Sequence, residues 1–215
     1  TAGNVLVTPS HAVFLTDFRY LTQSEEQVTG MERKIYTRQV EALEELVNSC
    51  RISRLQFEAN DIFYGSYERL RENLKGVALE PTQNVLEDLR NQKDDEEMGF
   101  IRKAVALTAK AWGETLTAPL EGITEREISI DLEFRLKRSG SEIAPFEFIV
   151  ASGPRGAYPH GVASERKIRR GDLVTFDFGA CVGGYFSDLT RTVAIGETKE
   201  ELRIIYDTVL PVSYT

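Results

Sequence analysis

Two periodicities alternate along this chain. The opening "NVLVTPSHAVFLTDFRY" changes polarity every second residue on either side of Pro9-Ser10, which predicts two short strands joined by a turn. "MERKIYTRQVEALEELVNS" places Ile35, Val40, Leu43, Leu46 and Val47 on a roughly helical stripe and predicts a helix. "RLQFEA" reads as a strand, "DIFYGSYERLRENL" as a helix begun by Asn60 or Asp61, and "GVALEP" as a strand closed by its proline. Together these make a small α/β unit, with a boundary near residue 91.

Beyond it, Asp94 to Glu97 gather where the macrodipole of a new helix favours acids. Met98, Ile101, Val105, Leu107, Ala111 and Trp112 supply that helix with an apolar face. Thr124-x-x-Glu127 is a capping box for a second helix that stops near Ser139-Gly140, and Thr198-x-x-Glu201 caps a last one, cut short at Pro211. Between them "FEFIVAS", "LVTFDFGA" and "YFSDLTRTVAI" read as strands. The fold class is therefore mixed α/β (α+β), in two parts.

Composition narrows the partners. With 215 residues and a formal net charge of −8, the chain has the balance of an ordinary globular protein and little affinity for a nucleic-acid backbone. The basic run Arg166-Lys167-Ile168-Arg169-Arg170 reads as a solvated loop before the Gly171-Asp172 turn. Cys50 and Cys181 lie far apart, which argues against a disulfide framework or a thiolate zinc site. No apolar run approaches the ~20 residues of a membrane span. Neither a signal peptide nor a membrane contact is expected, and a reduced, cytoplasmic setting is.

Asp177 and Asp188 raise the chemical question. Aspartate is depleted in strands, yet the two sit on successive strands of one hairpin. A turn centred between Val182 and Gly183, or a longer loop over Cys181 to Gly184, would set Asp177 directly opposite Asp188 and Thr175 opposite Thr190. Opposed residues share a face, with Cβ atoms about 5 Å apart. Val174, Phe176 and Phe178, with Leu189 and Val193, would form the core on the other face, where Arg191 also falls. Like charges so placed repel. A protonated acid dyad, a cation held between the carboxylates, or simple exposure to water would each relieve them.

"IVASGPRGAYPHGVAS" carries His160 in a loop dense in glycine and proline. A lone loop histidine is by default unremarkable; the competing reading is a neutral imidazole that donates to a substrate carbonyl or assists proton transfer. The other histidine, His11, reads as surface.

At these residues the sequence resembles the creatinase/prolidase/Xaa-Pro aminopeptidase family of pita-bread metallohydrolases. The likeness is carried by "FEFIVASG", "PHG", the run S-x-R-x-I-x-x-GD-x-V-x-x-DFGA and GY-x-SD-x-TRT, and more loosely by "LVTPSHAVFLTDFRYLTQS" and "LRNQKDDEEMGFIRKA". It implies a creatinase-type N-terminal domain over residues 1–91 and the first half of a pita-bread catalytic domain over 92–215. It also implies two divalent ions, Mn or Co and in some members Zn, and hydrolysis of the bond before a proline at the substrate's second position. Asp177 and Asp188 match metal ligands, the latter bridging both ions, and His160 matches a residue of the substrate pocket. A homodimer is a family expectation. The family's remaining ligands, one histidine and two glutamates, belong to a second half, so this chain is expected to be a truncated form, inactive alone, with apolar surface exposed around Phe176 and Phe178. The alternatives are a creatine amidinohydrolase, which needs no metal, and a non-catalytic relative that binds peptides or proteins.

Overall fold

The computed structural model describes residues 3–214, and the chain falls into two compact units, Thr1–Gln92 and Lys93–Thr215. In the first, β1 (Gly3–Val7) and β2 (Ala12–Asp17) pair antiparallel across the Pro9-Ser10 turn. The sheet continues with β3 (Glu32–Tyr36), parallel to β2, after the short helix α1 (Leu21–Gln27). This strand occupies the first part of the predicted helix, and α2 (Gln39–Ser49) begins only after it. Ile35 therefore belongs to a ladder; pairing with the buried β2 outweighs the helix-forming neighbours of this stretch. Val13, Leu15, Ala42 and Leu6 form a small core under α2.

The same unit holds a parallel pair, β4 (Arg54–Glu58) and β5 (Ala78–Thr82), with α3 (Tyr64–Asn73) between them. β5 runs through Pro81 rather than ending there. The helix starts at Tyr64, with Phe63 rather than Asn60 or Asp61 at its cap. α4 (Val85–Asn91) closes the unit.

The second unit is built on α5 (Asp95–Thr115) and α6 (Glu125–Arg138), packed against an antiparallel sheet in which β7 (Leu173–Phe178) lies between β6 (Ile149–Ser152) and β10 (Leu189–Ala194). Both helices open on complete capping boxes, Asp94 with Glu97 and Thr124 with Glu127. The buried stripe of α5 is Ala104, Thr108, Ala111 and Thr115, with Leu107 and Trp112 partly covered, while Val105 faces outward. Small residues there let the helix approach the short strands β8 (Cys181–Val182) and β9 (Tyr185–Phe186) closely, while α6 packs on β6 and the Trp112 side chain reaches β7. Every second residue of β7, Val174, Phe176 and Phe178, is fully buried. Trp112 meets the Phe176 ring edge-on at 5.1 Å. The apolar exposure expected around Phe176 and Phe178 is thus absent, because α5 covers them.

The basic run 166–170 keeps Lys167, Arg169 and Arg170 exposed, as expected of a solvated loop, but its backbone is docked. Ile168 is buried, and backbone bonds from Glu125 to the Arg166 carbonyl and from Ile168 to the Ile123 carbonyl dock it on the start of α6. β10 (Leu189–Ala194) leads to α7 (Glu200–Val209), whose cap is Lys199 without a side-chain bond, in place of the anticipated Thr198. A 3-10 turn over Leu210–Tyr214 carries the chain past Pro211. Exposed apolar side chains lie instead on α7, at Ile204 and Ile205.

Candidate active site

The hairpin that presents the two aspartates closes differently from the sequence expectation. Gly183 and Gly184 both take positive φ, 59° and 77°, the pairing a two-residue type I′ turn demands. The turn therefore centres between the glycines, with Val182 paired to Tyr185 and Cys181 to Phe186 in the short strands β8 (Cys181–Val182) and β9 (Tyr185–Phe186). Glu142 fixes this tip: its carboxylate accepts from the Gly183 amide at 2.6 Å and the Gly184 amide at 3.3 Å. Phe100 stacks on Tyr185, and a Cβ on Gly183 would lie 2.6 Å from the Phe100 ring.

The register consequently shifts by two residues. Asp177 pairs with Thr190, not Asp188, and Thr175 with Thr192, not Thr190. Because a shift of two preserves side-chain parity, Asp188 stays on the Asp177 side of the hairpin, as a diagonal neighbour rather than a direct partner. It stands just outside β10, beyond a break in the ladder at Gly179 and Ser187. There the backbones converge so closely that a Cβ on Gly179 would lie 1.9 Å from the Ser187 carbonyl oxygen. Ser187 anchors the break, its hydroxyl 2.6 Å from that of Thr108 and accepting from the Ala180 amide at 3.0 Å.

Asp177 is half-buried and Asp188 exposed. Burial, then the charge and hydrogen bonding of Asp188, raise the Asp177 carboxyl above its ordinary range, against a lowering by the Thr190 hydroxyl, which donates to it at 3.1 Å. Like-charged oxygen donors in this state fit a hard divalent cation, which would relieve the repulsion between them. Arg191 cannot do so, because it pairs with Phe176 on the opposite face. Among the described residues no third carboxylate or histidine joins the two aspartates; the group of three close acids is Glu58, Asp61 and Glu87, exposed in the other unit.

His160 lies in a loop folded over the same face of the sheet. Gly161 is buried, and a Cβ on it would come within 3.0 Å of the Ala151 side chain. Ala151 is the partner of Thr175. Val162 then bridges to Ile149, itself the partner of Asp177. His160 is exposed, and its carbonyl accepts from the Val162 amide at 2.9 Å. His11 is likewise exposed, its ring nitrogen 2.8 Å from the Ser10 hydroxyl.

Sequence reasoning missed Glu125. Its carboxylate is fully buried and accepts from the amide and hydroxyl of Ser152 at 2.7 and 2.6 Å, the amide and hydroxyl of Ser164 at 3.1 and 2.6 Å, and Nε of Arg155 at 2.9 Å. Burial pulls this carboxyl upward, yet the bonds from Ser152 and Ser164 outweigh it and hold the carboxyl below its ordinary range. An acid in the first turn of a helix reads as a macrodipole partner, and no spacing in the sequence announces the serines.

The model of metallopeptidase family M24 matches residues 99–214, and that of the Creatinase/Prolidase N-terminal domain matches residues 1–92. An uncharacterized peptidase of Bacillus subtilis is 39% identical over 97% of this chain and 60% of its own length. An Xaa-Pro dipeptidase of Pyrococcus horikoshii is 33% identical over 97% of this chain and 58% of its own. Among solved structures, an Xaa-Pro dipeptidase from Bacillus anthracis superposes with a TM-score of 0.93 at 39% identity, over 98% of this chain and 59% of that one. The chain thus spans about 60% of the length of the relatives it matches.

Proposed function

The chain belongs to metallopeptidase family M24, and from that premise we propose that the longer protein containing it is an Xaa-Pro dipeptidase or aminopeptidase, which hydrolyses the bond before a proline. The observation that carries the reading is the pair Asp177 and Asp188 on one side of a hairpin, with the His160 loop folded over the same sheet face. Asp177 and Asp188 would be this chain's contribution to a site for divalent ions, Mn or Co before Zn. When bound, such ions activate the attacking water and polarise the scissile carbonyl.

The chain's own residues do the rest. Thr190, through its hydrogen bond to Asp177, fixes which carboxylate oxygen stays available. His160 donates to the carbonyl oxygen and follows it as negative charge develops there. The substrate is a short peptide with proline second, and the intact protein works as a homodimer. A cytoplasmic location is supported by the two free cysteines; no described helix is long and apolar enough to cross a membrane.

The test is hydrolysis of Gly-Pro and of a Gly-Pro tripeptide by the longer protein, with added Mn and after chelation. Metal-dependent release of the N-terminal residue, abolished by Asp177→Ala, is the expected result. Metal-independent hydrolysis of creatine would transfer the protein to the amidinohydrolase branch of the fold. Tight peptide binding without turnover would make it a binding relative.

A further inference from the structure

The loop that carries His160 is held by a buried charge that plays no part in the proposed chemistry. Glu125 ties together three points of the chain: Ser152 at the end of β6, Arg155 in the turn that follows, and Ser164 on the return. The serines alone give the carboxylate four hydrogen bonds. Arg155, which neutralises it, is the member of this set that reaches into the loop, and its side chain is still 27% exposed.

Arg155 spends its remaining contacts on either side of His160. Its second guanidinium arm donates to the Val162 carbonyl, and the guanidinium carbon lies 5.7 Å from the centre of the Tyr158 ring. The backbone between these points is already narrowed. Tyr158 is extended at φ −87° and ψ 121°, as a residue before proline must be. Pro159 has a fixed φ. Gly161 packs where a Cβ would meet the Ala151 side chain at 3.0 Å and the Arg155 carbonyl oxygen at 3.2 Å. At Val162 the loop is tied to the sheet by the bridge to Ile149, and to the buried carboxylate by the arm from Glu125 through Arg155.

We propose that Arg155, pinned by the buried Glu125 carboxylate, is a positioning residue for His160: it holds the Val162 carbonyl after the histidine and the Tyr158 ring before it, and so determines where the imidazole meets the substrate carbonyl. This rests on the reading of His160 as a substrate contact. Displacing a contact group by about 1 Å can cost on the order of 100-fold in rate.

The test uses Arg155→Met, which removes the brace while leaving Ser152 and Ser164 on Glu125. In the present chain, His11 and His160 are the two histidines, so 13C-histidine labelling gives one reporter at the loop and one control in the other unit. The His160 ring signal should shift and broaden while that of His11 stays fixed; an unmoved His160 signal overturns the proposal. In the longer protein, Arg155→Met should lower kcat/KM about 10- to 100-fold with Mn affinity within twofold of wild type. It should add no loss in a His160→Ala background. Equal losses in both backgrounds would make Arg155 a general stabiliser and sink the positioning role. An inactive wild-type longer protein would instead refute the peptidase reading, and the histidine signals would still decide the brace.

Discussion

The hydroxyls of Thr108 on α5 and Ser187 in the hairpin lie 2.6 Å apart in a buried contact. This bond fastens the point at which the ladder breaks and Asp188 leaves the regular register. Ser187 also accepts from the Ala180 amide, so Ser187→Ala strands a buried donor and removes the tie to α5 at once. The expected cost is about 1–3 kcal/mol, measured as a lowered urea midpoint with unchanged slope. A midpoint equal to wild type would mean the contact contributes nothing.

Gly179→Ala should be far worse than its chemistry suggests. The added methyl group would lie 1.9 Å from a backbone carbonyl oxygen that has nowhere to move. We expect little folded protein, seen as loss of a cooperative thermal transition, whereas Gly113→Ala, open on all sides within α5, should melt at or slightly above the wild-type temperature.

Asp177→Asn removes one of two repelling charges while keeping the shape. Without metal, its melting temperature should equal or exceed that of wild type. With Mn added, wild type should gain stability by mass action and the variant should not. An identical Mn-induced rise in both would show that the ion binds elsewhere.

Stability should fall in acid for a stated reason. Burial raises the carboxyls of Glu125 and Asp172, but hydrogen bonds from Ser152 and Ser164, and from Arg166 and the Arg169 amide, prevail and hold both below their ordinary values of 4.5 and 3.8. Groups lowered on folding stabilise fully above their unfolded values, and that contribution is lost as pH falls through the folded ones. Melting temperature should therefore drop between about pH 5 and pH 3. Glu125→Gln should melt lower at neutral pH and show a shallower acid decline; an equally steep one would exclude Glu125 as a source.

The thiols should separate cleanly. Cys50 is exposed, whereas Cys181 is buried, and burial beside Glu142 pushes its thiol up. Native protein should react with a thiol reagent quickly at Cys50 and slowly at Cys181, the second rate rising on unfolding. Mass mapping of the early adduct checks it.

Local signals in the sequence were legible where the physics is local. The Thr124–Glu127 capping box, the end of α6 and the buried face of β7 all follow from a few adjacent residues. The hairpin register did not. The choice of Gly183-Gly184 for the turn depends on Glu142 and Phe100, which lie far away along the chain. Ile35 went astray for a similar reason, since β2 rather than its own neighbours decides its state. Glu125 was invisible because its meaning lies in Ser152, Arg155 and Ser164, brought to it only by folding.

The double-glycine tip also limits how this hairpin can vary in length. Inserting one residue between Ala180 and Ser187 would turn Asp188 toward the packed interior and an apolar neighbour toward water, whereas a pair of residues would lengthen the arm and leave both carboxylates looking the same way. Related chains should accordingly differ here by even steps, and a viable odd-length member should carry a compensating bulge.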